Sequence, residues 1–441
     1  MVIVARMSVL GSLSVFLAIT SAAPRVVTLD EALRSALKNL PQLVSAHAAL
    51  LAQVATADAA LAPMLPQING TASVGARTAN FVSSPGSLPM GVANGGVSGV
   101  QINSTPVGSY STGITISQFL YDFGETFHKW KSQQVGAEAQ EDSERNTIEQ
   151  MKLALRTTYF NARATKALLG VANETLSNQK KHLDQAVAFV KAGRDPEINL
   201  ATARTNYANA KVALVTADNN YLISKAQLNQ AMGVEQSTDY EVADDDLGPV
   251  DGEDADVESL NAEARKARPD IVSLQKQVTS QEIMVQATKE QYAPAISTSS
   301  NLTYAGADIT QLVPNWGASV TLSVPIFNGK LTPAQVRQQE AQLDIIRAQL
   351  DQQRQQVRFD VEQARLAIRA AKANIVGAAE ALTNAKEQLR LAQGRYEQGV
   401  GNIIELGDAQ VAQTAANAQV VQAEYNLATA RAQLLKALGR R

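Results

Sequence analysis

The chain of 441 residues has no cysteine, few aromatic residues (5%) and no strong excess of either charge. Without cysteine, disulfide bonds and thiolate metal ligands are excluded. A net charge of -3, from 39 basic and 42 acidic residues, does not indicate a nucleic-acid-binding surface, so we expect no nucleic-acid partner. The scarcity of aromatic residues favours long helices over a large globular core.

Motifs for catalysis or cofactor binding are also missing. The sequence has no His-Glu-x-x-His zinc motif, no serine nucleophile elbow and no glycine-lysine phosphate loop. The three histidines, His47, His128 and His182, are scattered over helical stretches and do not have the spacing of metal ligands. We therefore expect a protein that is not an enzyme and that has no cofactor.

Residues 1–23 have the pattern of an export signal. Arg6 precedes an apolar run from Val9 to Ile19, and small residues close to Ala23 offer cleavage positions. The run is short for a membrane-spanning helix, and we expect no later segment that is long and apolar enough to form one. An exported chain of this kind is periplasmic, secreted or a β-barrel of an outer membrane.

The rest of the chain contains two copies of one unit. A shift of 206 residues superposes Gly193 on Gly399, and a shift of 228 superposes Pro41 on Pro269. Each copy is about 200 residues long, much longer than a solenoid repeat. Between the copies, the segment 241–256 is rich in acidic residues and is predicted to be a solvated linker.

Each copy is predicted to have the order helix, strand, strand, helix, helix. Leu343, Leu350 and Val357 illustrate the heptad spacing of the long helices, and Val361 follows after four residues, which marks a stutter. A helix of nearly 70 residues reaches about 100 Å. The predicted elements are helices 28–62, 124–190 and 196–232 with strands 67–80 and 111–121 in the first copy (24–240), and helices 257–292, 330–398 and 402–439 with strands 295–304 and 316–326 in the second copy (257–441).

The four predicted strands alternate apolar and small polar residues. In the first of them, Ile68 and Val74 fall on one face, and Asn69 and Ser73 fall on the other. Each strand has about 10 residues, the length of a tilted transmembrane strand, although a half-buried sheet of a soluble domain alternates in the same way. Four strands cannot close a barrel in lipid, so several chains would have to contribute. Two chains would give eight strands and a filled interior, whereas three would give twelve and a lumen, which the polar face favours.

Aromatic residues concentrate near the ends of the predicted strands. Such a distribution indicates a girdle at a membrane interface, and a local aromatic core under the helices is the alternative. The connection over 81–109 is long and rich in glycine, serine and proline, so by analogy with outer-membrane barrels we expect it outside and the helices in the periplasm. The predicted interface residues are Phe119, Tyr121, Phe123, Phe127, Trp130, Tyr292, Trp316 and Phe327.

Five short motifs, taken in order, resemble those of a known family. The motifs are Thr28–Leu33, Leu65–Ile68, Phe119–Gly124, Pro325–Gly329 and Tyr396–Gly399. Their order, duplication and spacing are similar to those of the TolC family of outer membrane efflux proteins, over nearly all of the chain after residue 23. The resemblance implies a mostly helical fold with a membrane β-barrel. Four strands from each chain of a homotrimer would share a 12-stranded barrel, which a long α-helical barrel continues in the periplasm.

This resemblance also implies a function and partners. It implies the outer membrane exit duct of a tripartite efflux or type I secretion system, which conducts substrates passively. The implied partners are two further copies, outer membrane lipid, a periplasmic adaptor protein and an inner-membrane transporter. An exported periplasmic coiled-coil scaffold or an adaptor protein is the alternative, because scaffolds have heptads and adaptors have a helical hairpin.

Two acidic residues near the second predicted hairpin tip are candidates for an ion-selective ring. Glu405 and Asp408 are three residues apart and share a helix face. If that face lines the tunnel, three copies would place rings of carboxylates at its entrance, which would attract cations. A solvated helix start, where acidic residues favour the positive end of the helix dipole, is the alternative.

The tips themselves are candidates for a gate and for adaptor contact. Tyr396 matches a tyrosine that helps to hold the family's entrance closed, but Gly401 stands where the family has arginine and Asn199 where it has an acidic residue. A surface role or simple loop geometry is the alternative for these residues. The candidate tip residues are Gly193, Arg194, Asp195, Glu197, Tyr396, Gly399, Val400 and Gly401.

Overall fold

The computed structural model describes residues 25–78, 106–235 and 237–440. The predicted export signal and most of the connection between the first two predicted strands lie outside the described residues. In chain order the elements are β1 (Arg25–Val27), α1 (Leu29–Asn39), α2 (Pro41–Leu61), β2 (Gln67–Thr78), β3 (Pro106–Tyr121), α3 (Glu125–Lys191), α4 (Glu197–Met232), β4 (Tyr240–Val242), α5 (Val257–Ala267), α6 (Pro269–Glu290), β5 (Ala295–Gly306), β6 (Val313–Ser323), α7 (Leu331–Glu397) and α8 (Ile403–Leu438).

The duplication is visible in the helix lengths. Helices α3 and α7 have 67 residues each, and α4 and α8 have 36 each. The same shift of 206 residues relates both pairs from end to end. Gly233 and Gly439, which are also 206 residues apart, follow α4 and α8 with a φ of 68° each, the left-handed conformation that glycine adopts at helix ends.

The first helix of each copy is interrupted, which differs from the single helices predicted over 28–62 and 257–292. Pro41 and Pro269 each begin a new helix, and the preceding residues Leu40 and Arg268 have extended ψ angles of 119° and 123°. The cause is the clash between a proline ring and the backbone of the residue before it, which disfavours the helical conformation there. Each copy therefore has a short helix followed by one about twice as long.

Contacts divide the described residues into two compact units, and each unit gathers segments from both sequence copies. The first unit contains β1, β4 and the hairpin tips, and the second contains the large sheet. The first comprises the described residues up to Leu40 with Lys152–Pro249 and Ala367–Ala432, and the second comprises those of Pro41–Met151, Val250–Leu366 and Gln433–Arg441.

In the second unit, four strands form an antiparallel sheet in the order β2, β3, β5, β6. Ile68 faces Ile116 across the first pair, and Leu302 lies between Ile114 and Trp316, so apolar residues share one face. The opposite face carries serine, threonine, asparagine and glycine, and the hydroxyls of neighbouring strands form hydrogen bonds there. The sheet thus has one apolar and one polar face.

Two strands differ from their predicted bounds. Strand β3 begins at Pro106 rather than at 111, because its first residues pair with the end of β2, a pairing that the local pattern does not show. Strand β6 runs from Val313 to Ser323 instead of 316–326, and Pro325, which has no N–H to donate, lies just beyond its end.

The acidic segment 241–256 is not only a solvated linker, as the sequence predicted. Strand β4 pairs in parallel with β1, and Val242 is fully buried. The hydroxyl of Tyr159 donates to the Asp245 carboxylate over 3.0 Å, and the same carboxylate accepts from the backbone of Leu29 over 2.8 Å. Burial, and then Asp245, raise the pKa of Tyr159 well above its usual range. The pairing joins residues more than 200 positions apart, so local composition could not reveal it.

Helix α2 presents an open apolar surface. The segment Pro41–Met64 is long and apolar enough to cross a membrane by length and composition, contrary to the expectation from the sequence. Only 6% of its apolar window is buried within the described structure. Val44 and Leu51 are among its exposed residues.

Candidate functional site: the helical tips

The first tip is the loop between α3 and α4. Gly193 has a φ of 69°, and its N–H donates to the carbonyl of Val190 over 3.0 Å. The backbone N–H of Arg194 donates to the carbonyl of Phe189 over 2.9 Å. These bonds satisfy the last carbonyls of α3, and Pro196 then stops the chain from continuing as one helix.

The second tip is the loop between α7 and α8, and it closes more tightly. Gly399 has a φ of 77°, and the N–H groups of Val400 and Gly401 both donate to the carbonyl of Arg395 over 3.0 Å. A Cβ atom at Gly401 would lie 3.0 Å from the backbone nitrogen of Tyr396. A side chain at position 401 would therefore be crowded against the end of α7, which favours glycine there.

Tyr396 links the two tips. Its hydroxyl donates to the Asp195 carboxylate over 2.7 Å, and its side chain is only 5% exposed. Burial, and then the neighbouring Asp195, raise the pKa of Tyr396 far above its usual range. The phenol therefore remains a hydrogen-bond donor throughout the physiological pH range.

An aromatic and cationic contact supports this link. The ring centroids of Phe189 and Tyr396 are 5.9 Å apart, and the Arg194 guanidinium lies 4.8 Å from the centroid of Phe189. Tyr396 also packs in a small core with Leu406 and Ala409 of α8. The structure thus brings Arg194, Asp195 and Tyr396 together.

The other predicted tip residues remain at the surface. Val400 is 71% exposed, and Glu197 is exposed in the first turn of α4. Gly193 and Gly399 leave open space around their Cα atoms, apart from one Arg194 nitrogen near Gly399. These residues are exposed and take no part in the Tyr396 link.

The two acidic residues of the predicted ring have different environments. The Glu405 carboxylate lies 3.2 Å from the Arg395 guanidinium, so a neighbouring positive charge partly offsets it. Asp408 is exposed and has no ion pair among the residues that the structure describes. Of the two carboxylates, only that of Glu405 lies beside a positive charge in the described structure.

Asp408 lies in a groove of about 650 Å³ between α4 and α8, which the sequence did not predict. On its floor, the amide of Gln179 donates to Gln410 over 2.7 Å, and the hydroxyls of Thr175 and Thr414 are 3.2 Å apart. Small and polar residues recur along both helices, but their sequence does not show that α4 and α8 are neighbours.

The predicted interface aromatics lie on the surface of the second unit. None of the eight is buried, which disfavours a closed aromatic core. Two tilted ring pairs lie beside the start of α3, Tyr121 with Phe123 (4.9 Å between centroids) and Phe127 with Trp130 (5.6 Å). Trp316 lies apart from this cluster in the first half of β6, and its indole N–H donates to the Ser300 hydroxyl over 3.2 Å.

A buried carboxylate lies between the end of strand β3 and the start of helix α3. Asp122 accepts a hydrogen bond from the backbone of Thr126 over 2.8 Å and caps the start of α3. In the second copy, the Asn328 amide donates to the hydroxyl of Thr332 over 2.6 Å at the equivalent position. Both copies therefore use a short polar side chain where a strand leads into a long helix.

An antiparallel sheet with one apolar and one polar face, continuous with two long helical hairpins, defines the class of outer membrane channels. The family model described as outer membrane efflux protein matches residues 32–234 and 260–440, and the chain belongs to this family. The predicted resemblance to the TolC family and the predicted location in the cell outer membrane, with an extension into the periplasm, are confirmed.

Several characterised relatives are similar in sequence over part of their length. The solvent efflux pump outer membrane protein SrpC of Pseudomonas putida is 26% identical over 293 residues, which are 64% of this chain and 61% of SrpC. The outer membrane protein TolC of Escherichia coli K12 is 25% identical over 172 residues, 38% of this chain and 33% of TolC. The chain thus aligns with about three fifths of the length of SrpC.

Solved structures of outer membrane channels are similar in fold. The Campylobacter jejuni CmeC outer membrane channel superposes with a TM-score of 0.80 at 18% identity, over 93% of this chain and 85% of CmeC. The open state of the Neisseria gonorrhoeae MtrE channel gives a TM-score of 0.75 at 17% identity, over 93% and 89% of the two chains. The predicted fold class, mostly helical with four strands of a β-domain in each chain, is confirmed.

Proposed function

We propose that the protein is the outer membrane exit duct of a tripartite efflux or type I secretion system, with no catalytic role. The observation that carries the proposal is the sheet of β2, β3, β5 and β6. One face is apolar, as lipid requires, and the other is polar, as an aqueous lumen requires. The name of SrpC, a solvent efflux pump protein, also favours efflux.

The functional form in this proposal is a homotrimer in outer membrane lipid. Strands β2 and β6 are the edges of the described sheet. Open edges are not stable in the hydrocarbon region, since their N–H and C=O groups would have no partner there. Three chains supply twelve strands, which is enough to enclose a lumen.

The tips are the proposed gate. The hydrogen bond from Tyr396 to Asp195 joins the two hairpins of one chain, and Arg194 holds the aromatic ring of Phe189 beside it. This hydrogen bond fixes the two hairpins to each other, and we assign the arrangement to the closed state of the entrance. Opening requires that the link between Tyr396 and Asp195 breaks.

A periplasmic adaptor and an inner-membrane transporter are the proposed partners. The sequence has no phosphate-binding loop, and the proposal assigns the energy supply to the transporter. The exposed Val400, with Gly193 and Gly399 beside it in the tips, permits close approach of a partner helix. The groove between α4 and α8 extends this surface with small and polar residues.

Reconstitution tests the channel itself. The purified protein, inserted into planar bilayers, should give stepwise ion currents, and its native mass in detergent should be three times that of one chain. The periplasmic scaffold and adaptor alternatives predict a protein that is extracted from cells without detergent and carries no current. Extraction of the protein without detergent, or the absence of current, would rule out the duct.

Cross-linking tests the adaptor contact. A photo-reactive residue at Val400 should capture a periplasmic protein in cells that express the whole efflux system. The matched control is Phe359, an exposed residue in the first half of α7, where no adaptor product is expected. Equal capture at both positions, or none at Val400, would argue against the tip as the adaptor surface.

A further inference from the structure

A cavity of about 100 Å³ lies where β6 leads into α7. Tyr292, Phe327 and Lys330 line it, together with Ile326. The side chains of Ile326 and Phe327 are 95% and 80% exposed, so the described chain leaves two large apolar groups uncovered here. In outer membrane channels the periplasmic ends of the strands mark the boundary between hydrocarbon and water. The cavity thus joins an apolar surface to a charged residue at this boundary.

Lys330 has a backbone conformation that lysine rarely adopts. Its φ is 68°, and Phe123 is the one other non-glycine residue with a positive φ among those that the structure describes. Gly124, the equivalent residue by the shift of 206, has a φ of 114°. A side chain is sterically disfavoured in this region, whereas glycine is not. Residues held in such conformations cluster at functional sites, so the conformation of Lys330 points to a role for its side chain.

Lys330 also differs from neighbouring lysines in having no carboxylate partner. The Lys129 ammonium lies 2.5 Å from the Glu125 carboxylate, and the Lys289 ammonium lies 3.0 Å from the Glu340 carboxylate. Lys330 is exposed and has no ion pair within the described ranges. Its unpaired positive charge therefore selects an anion as the ligand of the cavity.

The equivalent region of the first copy lacks these features. Gly124 stands in place of Lys330, and Met64 stands in place of Tyr292, so both the ammonium and the phenol are missing there. The Asp122 carboxylate accepts a hydrogen bond from the backbone of Gly124 over 3.2 Å, and its negative charge would repel an anion. An anion site of this kind therefore belongs to the second copy alone.

We propose that this cavity binds one glycerophospholipid of the periplasmic leaflet. The Lys330 ammonium holds the phosphate, and the Tyr292 hydroxyl, which has no hydrogen-bond partner in the described structure, donates to the same group. Ile326 and Phe327 contact the glycerol and the acyl chains. The phosphate matches the unpaired ammonium in charge, and the exposed apolar side chains favour a lipid over a free phosphate ion. This inference goes beyond the proposed duct, because it assigns a bound lipid to a named site on each chain.

Native mass spectrometry of the detergent-purified protein tests the phosphate contact, with dioleoylphosphatidylglycerol as the probe. Lys330→Gln should lower the fraction of protein that retains this lipid about fivefold, the contribution of one lysine beside anionic lipid. Lys330→Arg should retain as much lipid as the native chain, since a guanidinium also binds phosphate. The matched control is Lys289→Gln, which removes a lysine that is already paired with Glu340 and should leave retention unchanged. Equal retention by the native chain and by Lys330→Gln would overturn the site.

A second probe, dioleoylglycerol, has the same acyl chains but no phosphate. Phe327→Ala should lower the retention of both lipids, whereas Lys330→Gln should lower that of the phospholipid only. An equal loss of both lipids in Lys330→Gln would overturn the phosphate contact. Inorganic phosphate, added alone, should not displace the phospholipid, and full displacement by it would overturn lipid as the ligand.

Planar-bilayer currents keep this test apart from that of the duct. Lys330→Gln should give the same stepwise currents as the native chain, because the cavity lies outside the tips. Lipid retention that does not depend on Lys330, in a protein that carries current, would overturn the lipid site and leave the duct intact. Retention that depends on Lys330, in a protein that carries no current, would overturn the duct and support the site.

Discussion

The hydroxyl of Tyr396, at the end of α7, donates to the carboxylate of Asp195, in the loop before α4, over 2.7 Å. Each of these residues belongs to a different helical hairpin, and 201 positions separate them in the chain. A single hydrogen bond to a charged acceptor thus joins the two copies of the duplicated unit at their tips.

Removing the Tyr396 hydroxyl should favour the open channel. In Tyr396→Phe the ring still packs against Leu406, but the donor to Asp195 is lost. A hydrogen bond to a charged group that is partly exposed contributes about 1 kcal/mol, which corresponds to a roughly fivefold shift towards the open state. Single-channel recording measures the change in open probability.

The same link can be removed from its other side. Asp195→Asn should act in the same direction as Tyr396→Phe, and the double variant should add little, because both changes break one bond. Arg194→Ala should have a smaller effect, since it loses the contact with Phe189 only. Fully additive effects of Tyr396→Phe and Asp195→Asn would contradict the link.

Neutralising Asp408 should reduce cation selectivity more than neutralising Glu405. Asp408 is exposed and unpaired among the described residues, whereas Glu405 lies 3.2 Å from Arg395. We expect Asp408→Asn to lower the cation-to-anion permeability ratio by roughly a factor of two or more, and Glu405→Gln to change it less. Reversal potentials in a salt gradient give the ratio, and an unchanged ratio in both variants would exclude the acidic ring.

Protonation of His182 at acidic pH should destabilise the packing of the tips. Burial lowers the pKa of this side chain, although Gln185 and Glu397 oppose the shift and Lys181 adds to it. The packed tip therefore binds a proton less readily than the unpacked one. The stability that this gives is present above the ordinary histidine pKa of about 6.5 and is lost as the pH falls below it.

Hydrogen exchange measures this effect. Peptides from the tips should exchange faster at pH 5 than at pH 7.5, after correction for the intrinsic pH dependence, and His182→Gln should remove the difference. The control variant is His47→Gln. His47 is exposed and contacts Glu144, and both residues belong to the second unit, which does not contain the tips. If acid acts equally on the native chain and on His182→Gln, another group is responsible.

Replacing Asn261 should stabilise the protein. Asn261 in α5 is 3% exposed, and neither polar atom of its side chain has a hydrogen-bond partner in the described structure. Its equivalent in the first copy is Leu33. Since an unsatisfied buried polar group costs about 1 to 3 kcal/mol, Asn261→Leu should raise the midpoint of thermal unfolding in detergent. Leu33→Asn is the matched reverse change and should lower it, and a lower midpoint for Asn261→Leu would show that Asn261 has a partner.

Much of the fold follows from local sequence patterns. The heptad spacing around Leu343 and Val357 predicts long helices, and the alternation after Pro66 predicts a strand, because helices and strands place side chains on one face with different periods. The breaks at Pro41 and Pro269 were missed although the prolines were visible. The restriction that proline places on the backbone of the residue before it decides the break at both positions.

The tip residues could be named from the sequence, but their contacts could not. Glycines and a tyrosine mark the tips, whereas the bond between Tyr396 and Asp195 depends on how two distant hairpins pack. The pairing of β1 with β4 was missed for the same reason. Short strands of three residues carry too little periodicity to be recognised, and their partners are far apart in the chain.

The sequence by itself determined the duplicated unit, its long helices and its amphipathic strands, because these depend on spacing within each segment. The tertiary structure decided which residues meet: Tyr396 with Asp195, Glu405 with Arg395, and Ser132 of α3 with Ser280 of α6. All three contacts depend on how helices pack, and the first and third join helices that are distant in sequence. Side-chain periodicity sets which face of a helix is apolar, but only packing sets which helix covers it.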